Sequence, residues 1–226
     1  MSSLSPSLRT TVTRGAHRAV SERDRLRALL ADALVAHLGV VVTREGASQP
    51  LVLPVAFAVD LAGPDPDGTL YVHGSTGAGW LRAALASDVC VTVTELDGLV
   101  AARSAFHHSM NYRSAVVIGR ARLVEDPTER QRALDLVVDH MIPGRSATLR
   151  ASTRKELAAT AVLAVPLAEA SMKQRTGGPV DDDADVAAGG WAGHIPVRRT
   201  ASAPVTSPGA RATAPAHVVA RAGALR

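Results

Sequence analysis

Between residues 88 and 95 the chain alternates without a break, with Val89, Val91 and Val93 on one side and Cys90, Thr92 and Thr94 on the other. Only extended backbone sends every second side chain to one face, and a strand with one apolar and one polar face belongs to a sheet covered on one side only. Asp97-Gly98 follows as a tight-turn signal, and residues 99–105 read as a returning strand. Further strands are predicted over 40–44, 50–60, 70–73, 116–124 and 161–169, the last continuing into 171–176, with a short one over 191–197. Leu51, Leu53, Val55, Phe57 and Val59 mark one face of the second run, and Pro54 within it points to an edge or a bulge, where no ladder hydrogen bond is required. Most of these runs are joined by turn signals rather than by helical crossovers. The expected class is therefore α+β to mainly β with an antiparallel sheet, not a βαβ sheet.

Three helices interrupt the strands. Leu26, Leu29, Leu30, Ala33, Leu34 and Leu38 recur at helical spacing, so a helix is predicted over 22–38, with Ser21 as its cap and Gly39 as its stop. A second is predicted over 78–86. The third, over 127–141, has a strong start: Asp126, then Pro127 at the first position and Glu129 at the third. Residues 1–20 are polar and aperiodic and are expected to form a flexible arm. Residues 21–197 form the domain. From 198 to 226 the composition is Ala, Pro, Ser, Thr and Arg without period, which predicts a disordered tail.

Composition narrows the function classes. Aromatic residues are 3% of 226, so the core is aliphatic. The net charge of +4 suggests nucleic acid, but basic and acidic residues are mixed along the chain with no basic stripe, so a nucleic-acid interface is not expected. One cysteine excludes an internal disulfide framework and fits a reducing compartment. No apolar run reaches membrane-spanning length. The expectation is a cytoplasmic protein with neither a nucleic-acid nor a membrane partner.

The stretch that carries chemistry is Leu70-Tyr71-Val72-His73-Gly74-Ser75-Thr76-Gly77. A strand breaks into a glycine- and hydroxyl-rich turn and then a helix start, where backbone amides have no internal partner and an anion can sit. No Lys follows, so it is not a Walker loop, and the glycine spacing does not match a dinucleotide fingerprint. A plain strand-to-helix connection is the other reading. A second polar cluster runs through Phe106-His107-His108-Ser109-Met110-Asn111-Tyr112-Arg113-Ser114. It is read either as a set of contacts to a polar ring edge or as a solvated strand end. His73, His107, His108 and His140 lack the spacing of a metal site, and no metal is expected. Cys90 reads as a small residue packed in mid-strand. Ser109 lacks the flanking glycines of a nucleophile elbow.

From about residue 20 to 197 the chain resembles the pyridoxamine 5′-phosphate oxidase-like FMN-binding proteins, closest to the branch that includes nitroimidazole-resistance proteins. The resemblance is carried by the 70–77 segment, by Asp97 to Ser114, by Gly119-Arg120-Ala121-Arg122-Leu123-Val124, by Ser171-Met172-Lys173-Gln174-Arg175-Thr176-Gly177 and by Trp191-Ala192-Gly193. It implies an antiparallel split β-barrel with flanking helices, FMN bound at a homodimer interface, and a flavin-dependent oxidoreductase acting on a small molecule. The alternative is a non-enzymatic flavin- or haem-binding barrel. On this resemblance His73, Gly74, Ser75 and Thr76 hold the phosphate, while Ser109, Asn111, Tyr112, Arg113, Ser114 and Trp191 lie near the ring, with Lys173 and Arg175 at the rim. Many relatives place a base just after the glycine turn; here Gly79 and Trp80 stand there, and Arg82 is the nearest.

Overall fold

The fold consists of two antiparallel sheets facing each other across one aliphatic core; it is seen in a computed structural model that describes Leu4 and residues 7–225. The strands are β1 (Ala19–Val20), β2 (Ala36–Arg44), β3 (Ala47–Val55), β4 (Phe57–Asp60), β5 (Thr69–Ser75), β6 (Val89–Ala101), β7 (Ser109–Gly119), β8 (Arg122–Leu123), β9 (Thr160–Pro166), β10 (Ala170–Arg175) and β11 (Gly193–Pro196). The larger sheet runs β1-β10-β7-β6-β2-β3, with β11 added to β6, and the smaller runs β4-β5-β9-β8. Every strand pair is antiparallel. This is the split β-barrel expected from the sequence.

The helices are α1 (Arg23–Asp32), α2 (Gly79–Ala86), α3 (Pro127–Met141), α4 (Arg154–Ala159), α5 (Asp183–Ala187) and α6 (Ala216–Ala224). Leu26, Leu29 and Leu30 of α1 enter the same core as Val89, Val91 and Val93 of β6 and Leu70 and Val72 of β5. The other face of the smaller sheet buries Tyr71, Val162 and Ala164 under Ala133 of α3. Helix α3 starts as its sequence dictates, with the Asp126 carboxylate accepting from the Glu129 amide at 2.7 Å.

Four expectations are corrected. First, α1 stops at Asp32 rather than Leu38. Ala36, Leu38, Val40 and Val42 are buried at every second position, so a strand burial pattern overrides the helical spacing that also runs through Leu34 and Leu38. Second, Asp97-Gly98 is not a hairpin. β6 runs through it unbroken to Ala101 against β7, with a register shift between Leu96 and Gly98. The carbonyl of Ile195 on β11 would lie 3.0 Å from a Cβ at residue 98, so glycine is there for close approach and not for a turn. Third, the run over 50–60 is two strands: β3 is the outer edge of the larger sheet, where Pro54 is tolerated, and β4 crosses to the smaller one. Fourth, α4 was not anticipated, although Thr153 and Glu156 form a complete capping box.

At both ends of the chain the described residues make specific contacts. Residues 1–3, 5 and 6 lie outside the described residues, as does residue 226. Among the rest of the arm, Leu4 is buried and Arg9 pairs with Asp88 and Glu169. The tail carries α6, whose Arg221 donates to the carbonyls of His140 and Met141 at the end of α3.

Candidate functional site

At the end of β5 the chain leaves the smaller sheet through residues 73–79. His73 is exposed, and its imidazole has no partner among the described residues. Ser75 Oγ accepts from the Gly77 amide at 3.2 Å and the Ser75 carbonyl from the Ala78 amide at 2.9 Å, which folds the turn. The Thr76 amide donates to the Ala159 carbonyl at 3.0 Å, tying the turn to the end of α4. A Cβ at Gly74 would sit 2.5 Å from Cζ2 of Trp80, so the indole folds back over bare strand backbone. The turn therefore presents exposed hydroxyls and the first amides of α2, which lack helical acceptors. Thr76 also lines a cavity of about 320 Å³ together with Val124, Leu157 and Arg130. Arg130 comes from α3, so the base that shares this cavity with Thr76 lies far along the chain instead of following the turn in sequence.

The second cluster does not form one surface, because β7 extends through it and neighbouring side chains point to opposite faces. Tyr112 and Ser114 stand opposite Leu96 and Thr94 of β6, on the face turned away from the core. Lys173 of β10 joins them opposite Ser114, with its ammonium donating to the Arg14 carbonyl at 2.8 Å. On the other face, Arg113 is forked onto Asp97 at 2.9 and 3.0 Å and reaches Asp32 at 3.1 Å. The Asp97 hydrogen bonds hold its guanidinium above its ordinary pKa even against desolvation, and two carboxylates neutralise its charge. Its structural task is to brace the β6 irregularity and the end of α1.

Asn111 is buried. It accepts from Arg175 and donates to the Gly177 carbonyl at 3.0 Å. Ser109 and Arg175 lie together in a cleft of about 490 Å³, whose walls also carry Arg18 and His107. Trp191 is exposed, with its ring over Gly193 at the start of β11. The structure thus joins Ser109, Asn111 and Arg175, joins Tyr112, Ser114 and Lys173, and keeps the glycine turn on the other sheet. Arg18 and Arg130 were missed because their spatial neighbours are distant in sequence. Among the described residues no group of three or more His, Cys, Asp or Glu side chains is arranged to hold a metal ion, and no helix is long and apolar enough to cross a membrane.

The larger sheet's outward face is unusually apolar. Val41, Val52, Leu96, Leu99, Met110 and Ile195 are all exposed there, around half-buried Val116 and Ile118. Single exposed aliphatics are ordinary, but this many on one sheet face make a patch.

Comparison with known proteins follows the same lines. A family model for pyridoxamine 5′-phosphate oxidase matches residues 22–174. The flavocytochrome Anf3 from Azotobacter vinelandii is 36% identical, with a TM-score of 0.86 over 96% of this chain and 98% of that one. The FAD and haem binding protein from Mycobacterium smegmatis is 40% identical, with a TM-score of 0.79 over 89% of this chain and 95% of that one. A proposed 5-nitroimidazole antibiotic resistance protein from Bacteroides thetaiotaomicron shares the fold at 22% identity and a TM-score of 0.55, over 69% and 85% of the two chains. No curated protein sequence matches. An antiparallel split barrel with a strand–glycine turn–helix at the end of β5, and a family match across residues 22–174, make this chain a member of the pyridoxamine 5′-phosphate oxidase family.

Proposed function

We propose that the protein is a flavin-dependent redox protein that also carries haem and acts as a homodimer. One observation carries the reading: 40% identity, over 89% of the chain, to a protein described as binding FAD and haem. That likeness favours FAD over the FMN expected from the family resemblance, and it favours the haem-carrying reading over a flavin-only barrel. When bound, the flavin supplies the hydride and electron chemistry, and haem supplies one-electron transfer.

The chain's own residues supply binding and orientation. The 73–76 turn receives a flavin phosphate on the Ser75 and Thr76 hydroxyls and the first amides of α2, with Arg130 as the neighbouring base. Tyr112 and Ser114 offer hydrogen bonds to a ring edge from the outer face of β7. The separation of turn and strand within one chain supports a dimer, in which one protomer's turn meets the partner subunit's Tyr112 and Ser114. The apolar outer face is the surface on which two copies would pair, since a symmetric dimer buries the same patch on both. Several imidazoles, those of His37 and His73 among them, have no partner among the described residues and suit a haem iron. The substrate we expect is a small molecule, and we place the protein in the cytoplasm on the strength of its single cysteine.

The test is the visible spectrum of the purified protein, followed by chromatography of the flavin released with acid. Flavin bands together with a Soret band, and FAD in the extract, are expected. A protein that remains colourless after incubation with FAD, FMN and haemin refutes the reading.

A further inference from the structure

The cleft beside the β6–β7 connection has an electrostatic imbalance. Arg23 and Arg175 are the two buried arginines among the described residues. Arg23 meets the carboxylate of Asp67 at 3.1 Å. Arg175, which exposes 9% of its surface, meets no carboxylate among the described residues. Its partners are the Asn111 amide oxygen and the carbonyls of Gly177 at 3.3 Å and Gly178 at 2.8 Å. Those three acceptors leave two of the five guanidinium N–H groups without a protein acceptor. A buried charge is ordinarily paired, because neutral dipoles only partly replace its lost hydration.

A second guanidinium faces the same cleft, with imidazoles around it. Arg18 is half-buried with no side-chain partner among the described residues, and His17, His107 and His108 share the same walls. The acids nearby do not balance this. Asp181 is paired with Arg103 at 2.8 Å. Asp182 is largely exposed and reaches only the His107 ring, at 3.4 Å. Ser109 and Thr176 supply hydroxyls, and Phe106, with 90% of its surface exposed, stands at the rim.

We infer that this cleft is an oxyanion-binding site, formed for a phosphate or pyrophosphate group held between Arg175 and Arg18. The anion completes the charge pairing that the fold leaves open at Arg175, and Arg18 closes on it from the segment before β1. Fork-shaped guanidinium donors suit the paired oxygens of such groups. A planar ring attached to the phosphate would lie on Phe106. The site belongs to the larger sheet, whereas the turn proposed for the flavin phosphate is on the smaller one. The inference therefore stands whether or not the turn holds a flavin.

The experiment is calorimetric titration of inorganic pyrophosphate into flavin-stripped protein and into flavin-loaded protein. Three variants accompany the parent: Arg18→Glu, Arg175→Lys, and Arg120→Glu, an exposed residue just past the opposite end of β7 that repeats the charge change away from the cleft. Saturable binding is expected. It should weaken at least tenfold in Arg18→Glu and in Arg175→Lys, and less than twofold in Arg120→Glu. Arg18 makes no side-chain bond among the described residues, so its variant reports on the cleft even if Arg175→Lys does not fold. Binding that persists in flavin-loaded protein assigns the site to a separate phosphorylated ligand, and binding lost only there assigns it to phosphate of the bound cofactor. Absence of binding to the stripped parent overturns the inference, as does equal weakening in Arg18→Glu and Arg120→Glu. Failure of the flavin reading would appear separately, as a colourless parent.

Discussion

Replacing Gly74 by alanine should destabilise the protein, and the sign of that effect should reverse when Trp80 is absent. The new Cβ would lie 2.5 Å from Cζ2 and 3.0 Å from Cη2 of the indole, so the ring must retreat by about 1 Å to reach ordinary contact near 3.5 Å. Trp80 is half-buried against the core. A tryptophan buries roughly 150–250 Å², and uncovering about a third of that at 25 cal per Å² costs on the order of 1–2 kcal/mol. Against this, alanine restricts the unfolded chain and returns about 0.4–1 kcal/mol, because Gly74 does not sit in the left-handed region. The net loss should be about 0.5–1.5 kcal/mol, or a few degrees in Tm for a domain of this size. In a Trp80→Ala background the clash is gone, and Gly74→Ala should become neutral or stabilising. The double-mutant cycle should thus show a coupling of about 1–2 kcal/mol. Urea unfolding followed by far-ultraviolet circular dichroism measures it, on flavin-stripped protein so that ligand binding does not enter. Gly74→Ala with the same sign and size in both backgrounds would refute the contact and the account of why glycine stands there.

Other outcomes follow from the same geometry. Thr153→Ala removes the cap of α4 and should cost about 0.5–2 kcal/mol in urea unfolding. The His140 imidazole is pushed below its ordinary pKa by burial against Phe57, while its Nε2 donates to the Ala33 carbonyl. The unfolded chain then binds the proton more readily, so stability should be full above about pH 6.5 and fall as pH drops below it. His140→Gln should flatten that acid limb, and an unchanged limb would assign the pH dependence to other groups. Leu99→Arg, on the apolar outer face, should convert the proposed dimer to a monomer in light scattering while moving Tm little, since Leu99 is exposed in the single chain. A variant that remains dimeric would place the subunit contact elsewhere.

The β-rich class, α3 and the strand–turn–helix at Gly74 were legible because each depends on local signals: alternation, Asp126-Pro127, and glycines between a strand and a helix. The end of α1 was not, because Leu34 and Leu38 satisfy a helical period while Ala36, Leu38 and Val40 satisfy a strand period; packing against β6 decides between them. Asp97-Gly98 carries the residues of a hairpin turn, and only the arrival of β11 alongside it shows why a glycine is needed. The Thr153–Glu156 capping box is a local signal for α4, but that helix has only six residues before β9, too few for a helical period to show. The candidate site was legible as a set of residue types but not as a surface. Tyr112 and Arg113 are neighbours in the chain and face opposite ways in the strand, and Arg113 had carboxylate partners no spacing rule would have found.

The way β6 is flanked bears on how the chain emerges from a ribosome. Its first half is paired by β2, which is made before it, but the free edge at Leu99 is covered by β11, which comes much later. Roughly ninety residues separate the two, about 5–20 s of synthesis at ordinary elongation rates. Throughout that interval a strand edge beside exposed Leu99 and Met110 has open hydrogen-bonding groups, the kind of edge that recruits another chain. A nascent or truncated chain ending before Gly193 should therefore be far more prone to aggregate than the finished one, although β11 adds only four residues to the sheet.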